Sequence, residues 1–249
     1  MRTERAPDAL RAVEIIPRFT KAPAGSALIR CGGTTVLCTV SAVEGVPRFR
    51  EGRGGWLTAE YAMAPGSTPS RSARESSTGK VKGRTHEIQR LVGRSLRAAI
   101  DLERLGEWTL HVDCEVLEAD AGTRTASITG GFVALALAVD HLMDRGALAS
   151  NPLRAAVAGV SCGIVRGQAL LDLDYGEDVQ ATVDANFVRA TPGGWIEVQA
   201  TGEDGAYTRT ELDALLDLAE RGIDNLHAAQ RAALGAAAER VWPKEIADG

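Results

Sequence analysis

Aromatic side chains are scarce in this chain, at 4% of residues, and none falls in its most basic stretch between Arg71 and Arg97. That disfavours a sheet of stacking aromatics as the means of holding single-stranded nucleic acid, so any nucleic acid would be gripped mainly through its phosphates. Cysteine is equally sparse. Cys31, Cys38, Cys114 and Cys162 form no C-x-x-C pair and have no histidine at ligand spacing, which argues against zinc and for buried, reduced thiols. There is no uninterrupted run of about 18 apolar residues, and the N-terminal MRTERAPDALRAVE has no apolar signal core. The expectation is a soluble cytoplasmic protein without a membrane anchor. Neither G-x-x-x-x-G-K-[ST] nor G-x-G-x-x-G occurs, so a phosphate would have to be held by other groups.

What is present fits one or two ordinary globular domains: 249 residues, 45% hydrophobic and 24% charged. The net charge of −5 disfavours indiscriminate nucleic-acid binding. It also hides an asymmetry. Eight basic residues (Arg71, Arg74, Lys80, Lys82, Arg84, Arg90, Arg94, Arg97) stand against Glu75 and Glu87 in one segment, a local balance of +6. Such a run is either a solvated face or a docking surface for a polyanion.

The first 60 residues read as strands (RAVEII, SALIRCG, TTVLCTVSAV), followed by a glycine- and arginine-rich loop at 45–56. The polar segment 67–84 is expected to be mobile unless a partner orders it. Apolar residues at helical spacing from Ile88 to Ile100 predict a helix from about Thr85 to Leu105-Gly106. Strict alternation over 108–120 predicts a half-buried strand, and a helix follows from about Arg124 to Arg145. ALASNPLR (147–154) is the candidate linker. Beyond it, two hairpins turn at Arg166-Gly167 and Pro192-Gly193-Gly194. A Thr208/Glu211 capping box then opens LDALLDLAERG, and a last alanine-rich helix runs to about Val241. Strands followed by helices, twice, suggest two α+β halves, 1–150 and 151–249.

Three stretches could carry chemistry. Gly159-Val160-Ser161-Cys162-Gly163 matches the nucleophile-elbow pattern, but a strand rather than a helix follows, so a hydrolytic Ser161 fails on context. Gly122-Thr123-Arg124 precedes the apolar helix. It is either a plain helix start or an anion cradle, in which free N–H groups and a guanidinium fork meet a phosphate. Arg84 precedes the other helix in the same way. Asp172 and Asp174 are spaced to share a strand face, with Asp178 and Asp184 at the end of that strand and the start of the next. They are turn residues or oxygen ligands for Mg²⁺ or Mn²⁺.

GVPRF (45–49), GWLTAEYAM (55–63), RSARES (71–76), GRTHEIQRLVGRSLRAAIDL (83–102), LHVDCEVLEADAGTRTASITG (110–130) and EDVQATVDANFV (177–188) together resemble the ribonuclease PH family. The resemblance reaches to about Ala233. It implies an α+β fold: a ribosomal protein S5 domain 2-like β-α N-terminal half packed with a smaller ribonuclease PH C-terminal α/β half. It implies a phosphate-dependent 3′→5′ exoribonuclease that trims tRNA precursors and other structured RNA with single-stranded 3′ tails. The enzyme would release nucleoside diphosphates, and would add nucleotides from them in reverse. By matching motifs, Arg84, Gly122, Thr123 and Arg124 become the phosphate site. Asp178 and Asp184 become the catalytic pair that holds a divalent metal, Mg²⁺ by expectation, or assists proton transfer. Arg71 and Arg74 become RNA-gripping residues across a subunit interface of a homohexamer, a trimer of dimers. Two departures stand out: Gly66 where some relatives carry arginine, and Ala121 where a glycine is often seen. A catalytically silent, RNA-binding ring subunit of the same fold is the alternative; retention of Arg84, Arg124, Asp178 and Asp184 favours the enzyme.

Overall fold

The computed structural model describes residues 2, 5–79 and 81–243. Lys80, part of the basic run, lies outside the described residues. Five strands form the first sheet: β1 (Val13–Pro17), β2 (Gly25–Cys31), β3 (Thr34–Glu44), β4 (Trp56–Met63) and β5 (Trp108–Glu118), in the order β1-β2-β3-β5-β4. All neighbours are antiparallel except β4, which runs parallel to β5 at one edge. The alternation read over 108–120 is real, with Leu110, Val112, Cys114 and Val116 buried and His111 and Asp113 exposed. β4 was not foreseen as a strand, although Leu57, Ala59 and Tyr61 alternate inward.

Helix α1 (Gly83–Ala98) packs on β4. It ends well before Leu105-Gly106. Asp101 turns its carboxylate back onto the Glu103 and Arg104 N–H groups at 3.0 and 3.2 Å, a local bond that competes with helix continuation. Ile100 instead bridges Leu153.

Helix α2 (Thr123–Asp144) joins the halves. One side lies on β2, β3 and β5 of the first sheet and the other on β6 (Ala156–Val165) of the second. A helix apolar on all sides must be covered on all sides. Length and composition alone would let α2 cross a membrane, but 89% of its most apolar window is buried inside the protein. Gly130 permits the close approach, since a Cβ there would lie 2.6 Å from Ile29 Cγ2.

The second sheet is antiparallel, in the order β7 (Gln168–Leu171), β6, β8 (Ala181–Thr191), β9 (Gly194–Gly202). Both expected hairpins are present. Arg166 and Gly167 take φ of 53° and 78° at the first turn, as a type I′ turn requires. The one-turn helix α3 (Tyr175–Asp178) lies between β7 and β8. Helix α4 (Arg209–Leu234), opened by the Thr208/Glu211 capping box, covers the sheet through β6 and β7. It runs through Gly222 unbroken and stops at Gly235, so the final short helix α5 is only Ala238–Val241. The stretch 147–154 is pinned rather than loose: Leu148 and Leu153 are buried, and Asn151 Nδ2 donates to the Val241 carbonyl at 3.1 Å. All four cysteines are free and buried.

Candidate active site

A cavity of about 670 Å³ opens where the two halves meet. Its wall includes Arg84, Gly122, Thr123, Arg124, Asp178 and Asp184. Six residues spread over a hundred positions of sequence therefore share one hollow.

The cradle at 120–124 is built by neighbours that chemical motifs do not reveal. Ala121 and Gly122 both take left-handed backbone, φ 55° and 63°. Thr34 Oγ1 donates to the Ala121 carbonyl at 2.6 Å and accepts from the Asp120 N–H at 2.9 Å. Arg11 Nη1 donates to the Asp120 carbonyl. Arg11 is itself locked by Asp172, which accepts from its backbone N–H, Nε and Nη2 at 2.8, 3.1 and 2.8 Å. Gly122 is the N-cap of α2 and supplies no side-chain cap. The first intrahelical bond is from Ala126 N–H to the Gly122 carbonyl, so the N–H groups ahead of it face the cavity end with the positive end of the helix dipole behind them.

Thr123 Oγ1 lies 2.9 Å from Tyr61 OH, with both residues buried. Arg124 Nη1 donates to Gln199 Oε1 at 2.9 Å and pairs with Glu87 at 3.4 Å. These contacts fix the guanidinium and leave the remaining donors for a ligand. Arg84, in the first turn of α1, is exposed and has no ion-pair partner among the described residues.

Asp178 ends α3, whose N-terminus is capped by a reciprocal Asp174/Glu177 box. Asp184 sits on β8. Neither carboxylate has a hydrogen-bond partner among the described residues. Both are pushed above the ordinary carboxylate pKa. For Asp178 the cause is burial, offset in part by Arg84 and Arg124. For Asp184 it is burial and then the Asp178 charge, again partly offset by Arg124 and Arg84. Two half-buried, unpartnered carboxylates, with Asp184 raised further by the Asp178 charge, fit a hydrated Mg²⁺, which takes one or two carboxylates and keeps its waters for phosphate oxygens.

Other sequence expectations are revised. Asp172 and Asp174 do not share a strand face. β7 stops at Leu171, Asp172 turns through φ 54° to meet Arg11, and Asp174 caps α3. Asp178 lies on a helical turn, not at a strand end. Arg71 and Arg74 do not line the cavity; Arg74 pairs with Glu115 at 2.8 Å. The basic run is neither all solvated nor all free. Arg94 bonds Glu197 at 2.7 Å, and Arg97 donates to the Leu57 carbonyl at 3.0 Å over the Trp56 ring. Ser161 is mid-strand, as its context required, yet it and Asn186 join the cavity wall.

Comparison with known proteins bears on family and fold. The family described as 3′ exoribonuclease family, domain 1, matches residues 9–139, and domain 2 of the same family matches 155–222. Ribonuclease PH of Corynebacterium glutamicum is 57% identical over 232 residues, 93% of this chain and 95% of that protein. Ribonuclease PH of Corynebacterium diphtheriae is 56% identical over 231 residues, 92% and 95% of the two chains. The solved Archaeoglobus fulgidus exosome with RNA bound to the active site superposes with a TM-score of 0.74 at 25% identity, covering 90% of each chain. Rice Rrp46 superposes at 0.74 with 19% identity, covering 93% of this chain and 98% of that one, a likeness of fold. The chain belongs to the 3′ exoribonuclease family, as a member of its ribonuclease PH branch.

Proposed function

We propose that the cavity between the halves is where orthophosphate attacks the last phosphodiester of an RNA 3′ end. The chain is a phosphorolytic 3′→5′ exoribonuclease of the ribonuclease PH type, acting in tRNA processing. The observation that carries the site assignment is the convergence of Arg84, Gly122-Thr123-Arg124, Asp178 and Asp184 on one wall.

Both reactants are anions, so the barrier is electrostatic as well as chemical. Arg84 and Arg124 neutralise the orthophosphate, and the N–H groups at the start of α2 hold its oxygens. The staked turn at 120–122 keeps those donors aimed without reorganisation at the moment of reaction. A divalent metal held by Asp178 and Asp184 would supply charge neutralisation at the scissile phosphate and the leaving oxygen. With no metal on the pair, the raised pKa of Asp184 suits it instead to give a proton to the leaving 3′-oxygen. Positioning and charge suffice, so no serine, cysteine or histidine nucleophile is required. The products are a nucleoside 5′-diphosphate and an RNA one residue shorter.

Further parts of the reading extend to assembly and setting. Arg71 and Arg74, exposed and away from this chain's own cavity, grip RNA for a neighbouring subunit's cavity in a homohexamer built as a trimer of dimers. The units 1–150 and 151–249 act as two lobes around the cavity. Four buried free thiols fit a reducing cytoplasm.

The test is a 3′-extended tRNA incubated with Mg²⁺, with and without orthophosphate. Nucleoside diphosphates appear only with phosphate; release of monophosphates in phosphate-free buffer sinks the reading. Sedimentation of the purified protein tests the ring: six copies are expected, and a fully active monomer contradicts it.

A further inference from the structure

Seven described side-chain atoms are buried without a hydrogen-bond partner, and Ser161 Oγ is the one among them whose residue lines the cavity. Ser161 is 3% exposed. Its β6 position faces the start of α2: a Cβ on Gly122 would lie 3.8 Å from Ser161 Oγ, and one on Gly159, two residues before Ser161, would lie 3.5 Å from Thr125 Cα. The hydroxyl thus forms part of the floor directly under the helix N-terminus. Across the ladder, Ser161 is paired in register with Asn186 on β8. Directly paired residues put their side chains on the same face, so the Asn186 amide lies beside the hydroxyl, and Asp184, two residues earlier, lies on that face as well. Asn186 is 7% exposed, and its amide makes no hydrogen bond to another described residue.

Buried polar groups are ordinarily paired. A buried hydroxyl without a partner, beside an amide that makes no protein hydrogen bond and facing the uncapped end of a 22-residue helix, marks a place built for an absent acceptor. We propose that Ser161 and Asn186 are two further ligands of the attacking orthophosphate, donating from Oγ and Nδ2 to oxygens on its lower side while Arg84, Arg124 and the α2 N–H groups hold the rest. The assignment rests on the phosphorolytic reading of the cavity. Uncharged donors suit this side because Asp184 is adjacent. They orient the phosphate without adding a cation that would pair with the carboxylate instead.

The experiment compares the full-length protein with Ser161→Ala and Asn186→Ala, titrating orthophosphate at saturating 3′-extended tRNA and then tRNA at saturating phosphate. Thermal unfolding is followed without RNA, with and without orthophosphate. Loss of one hydrogen bond to a charged group raises the KM for phosphate about tenfold or more, with the KM for tRNA unchanged. The Ser161→Ala protein melts no lower than its parent in phosphate-free buffer, because the hydroxyl it loses had no partner. Its phosphate-induced rise in Tm is smaller than the parent's. A raised KM for tRNA with an unchanged KM for phosphate assigns the donors to the scissile phosphodiester and overturns the proposal. Unchanged constants for both substrates overturn it too, leaving Ser161 a packing residue. A parent protein that needs no phosphate fails the underlying reading instead, and is told apart because no substitution is involved.

Discussion

Two clusters of charge share Asp120 as a common wall, and they are built on opposite plans. On one side a larger cavity, about 890 Å³, is lined by Arg2, Arg5, Arg11, Asp120, Asp174 and Glu177. There the charges meet. Arg2 pairs with Glu177 at 2.6 Å, Arg5 reaches Glu177 and Asp172, and Arg11 is clasped by Asp172. On the other side Arg84, Asp178, Asp184, Ser161 and Asn186 have no such partners among the described residues. Size alone would choose the hollow whose charges are already paired. A polar cluster that satisfies itself is scaffold, whereas one left unsatisfied is waiting for a ligand. Through Arg11 the paired cluster holds the turn that borders the other hollow.

The sharpest way to break the comparison is at its paired half. Asp172→Ala strands the buried Arg11 guanidinium, and breaking such a pair from one side costs about 3–5 kcal/mol. Urea unfolding of the variant checks this; a loss below about 1 kcal/mol would mean that the network is not a scaffold. The other hollow responds differently, even at Arg124, which has partners of its own. Arg124→Ala lowers kcat/KM for phosphorolysis by about 10²–10³-fold, the scale of losing one preorganised donor to developing charge, while tRNA binding changes little. A fall in tRNA affinity of similar size would show that Arg124 grips RNA rather than phosphate.

Asp184 separates the halves by the sign of its effect on stability. Its folded pKa lies above the unfolded one, chiefly through burial and then through Asp178. The native state therefore favours the protonated form. The stability this contributes is full below the unfolded carboxylate pKa and is lost as pH rises through the folded one. At neutral pH the charge is a burden, so Asp184→Asn raises Tm in metal-free buffer as it abolishes phosphorolysis, and the gain vanishes near pH 3. Added Mg²⁺ raises Tm of the parent and not of the variant. A variant that melts lower at neutral pH would show that the carboxylate has a structural partner.

That Arg84, Gly122-Thr123-Arg124, Asp178 and Asp184 belong together was legible in sequence because motif order fixes residue types, and the fold brings them to one wall, where the roles proposed above can be tried. Most of the fold was legible through periodicity, as in the alternating 108–120 strand and the paired hairpins. What escaped depends on contacts between distant segments. The parallel partner of β4 arrives nearly fifty residues later. Where α1 stops, Ala99, Ile100 and Asp101 bond to the distant 152–154 segment, which spacing does not weigh. Arg11, Thr34 and Asp172 stake the cradle from three separate elements, and no local pattern links them. Ser161 was rejected for the right reason as a nucleophile; its place beneath α2 depends on a packing of two sheets that only the folded chain has.

The smallest effect concerns the turn itself. Ala121 stands in left-handed backbone at φ 55°, where a Cβ costs about 1–2 kcal/mol. Glycine removes that strain but gives the unfolded chain about 0.4–1 kcal/mol of extra freedom. Ala121→Gly therefore stabilises by up to about 1 kcal/mol, a Tm rise of about 2–4 °C for a chain of this size. The Thr34 and Arg11 bonds act on the carbonyls of Ala121 and Asp120, not on the methyl group. They should hold the same backbone in the variant, with the KM for phosphate unchanged. A stabilised variant with a raised KM for phosphate would show that the methyl group limits where the turn can move, and that the cradle owes part of its aim to strain.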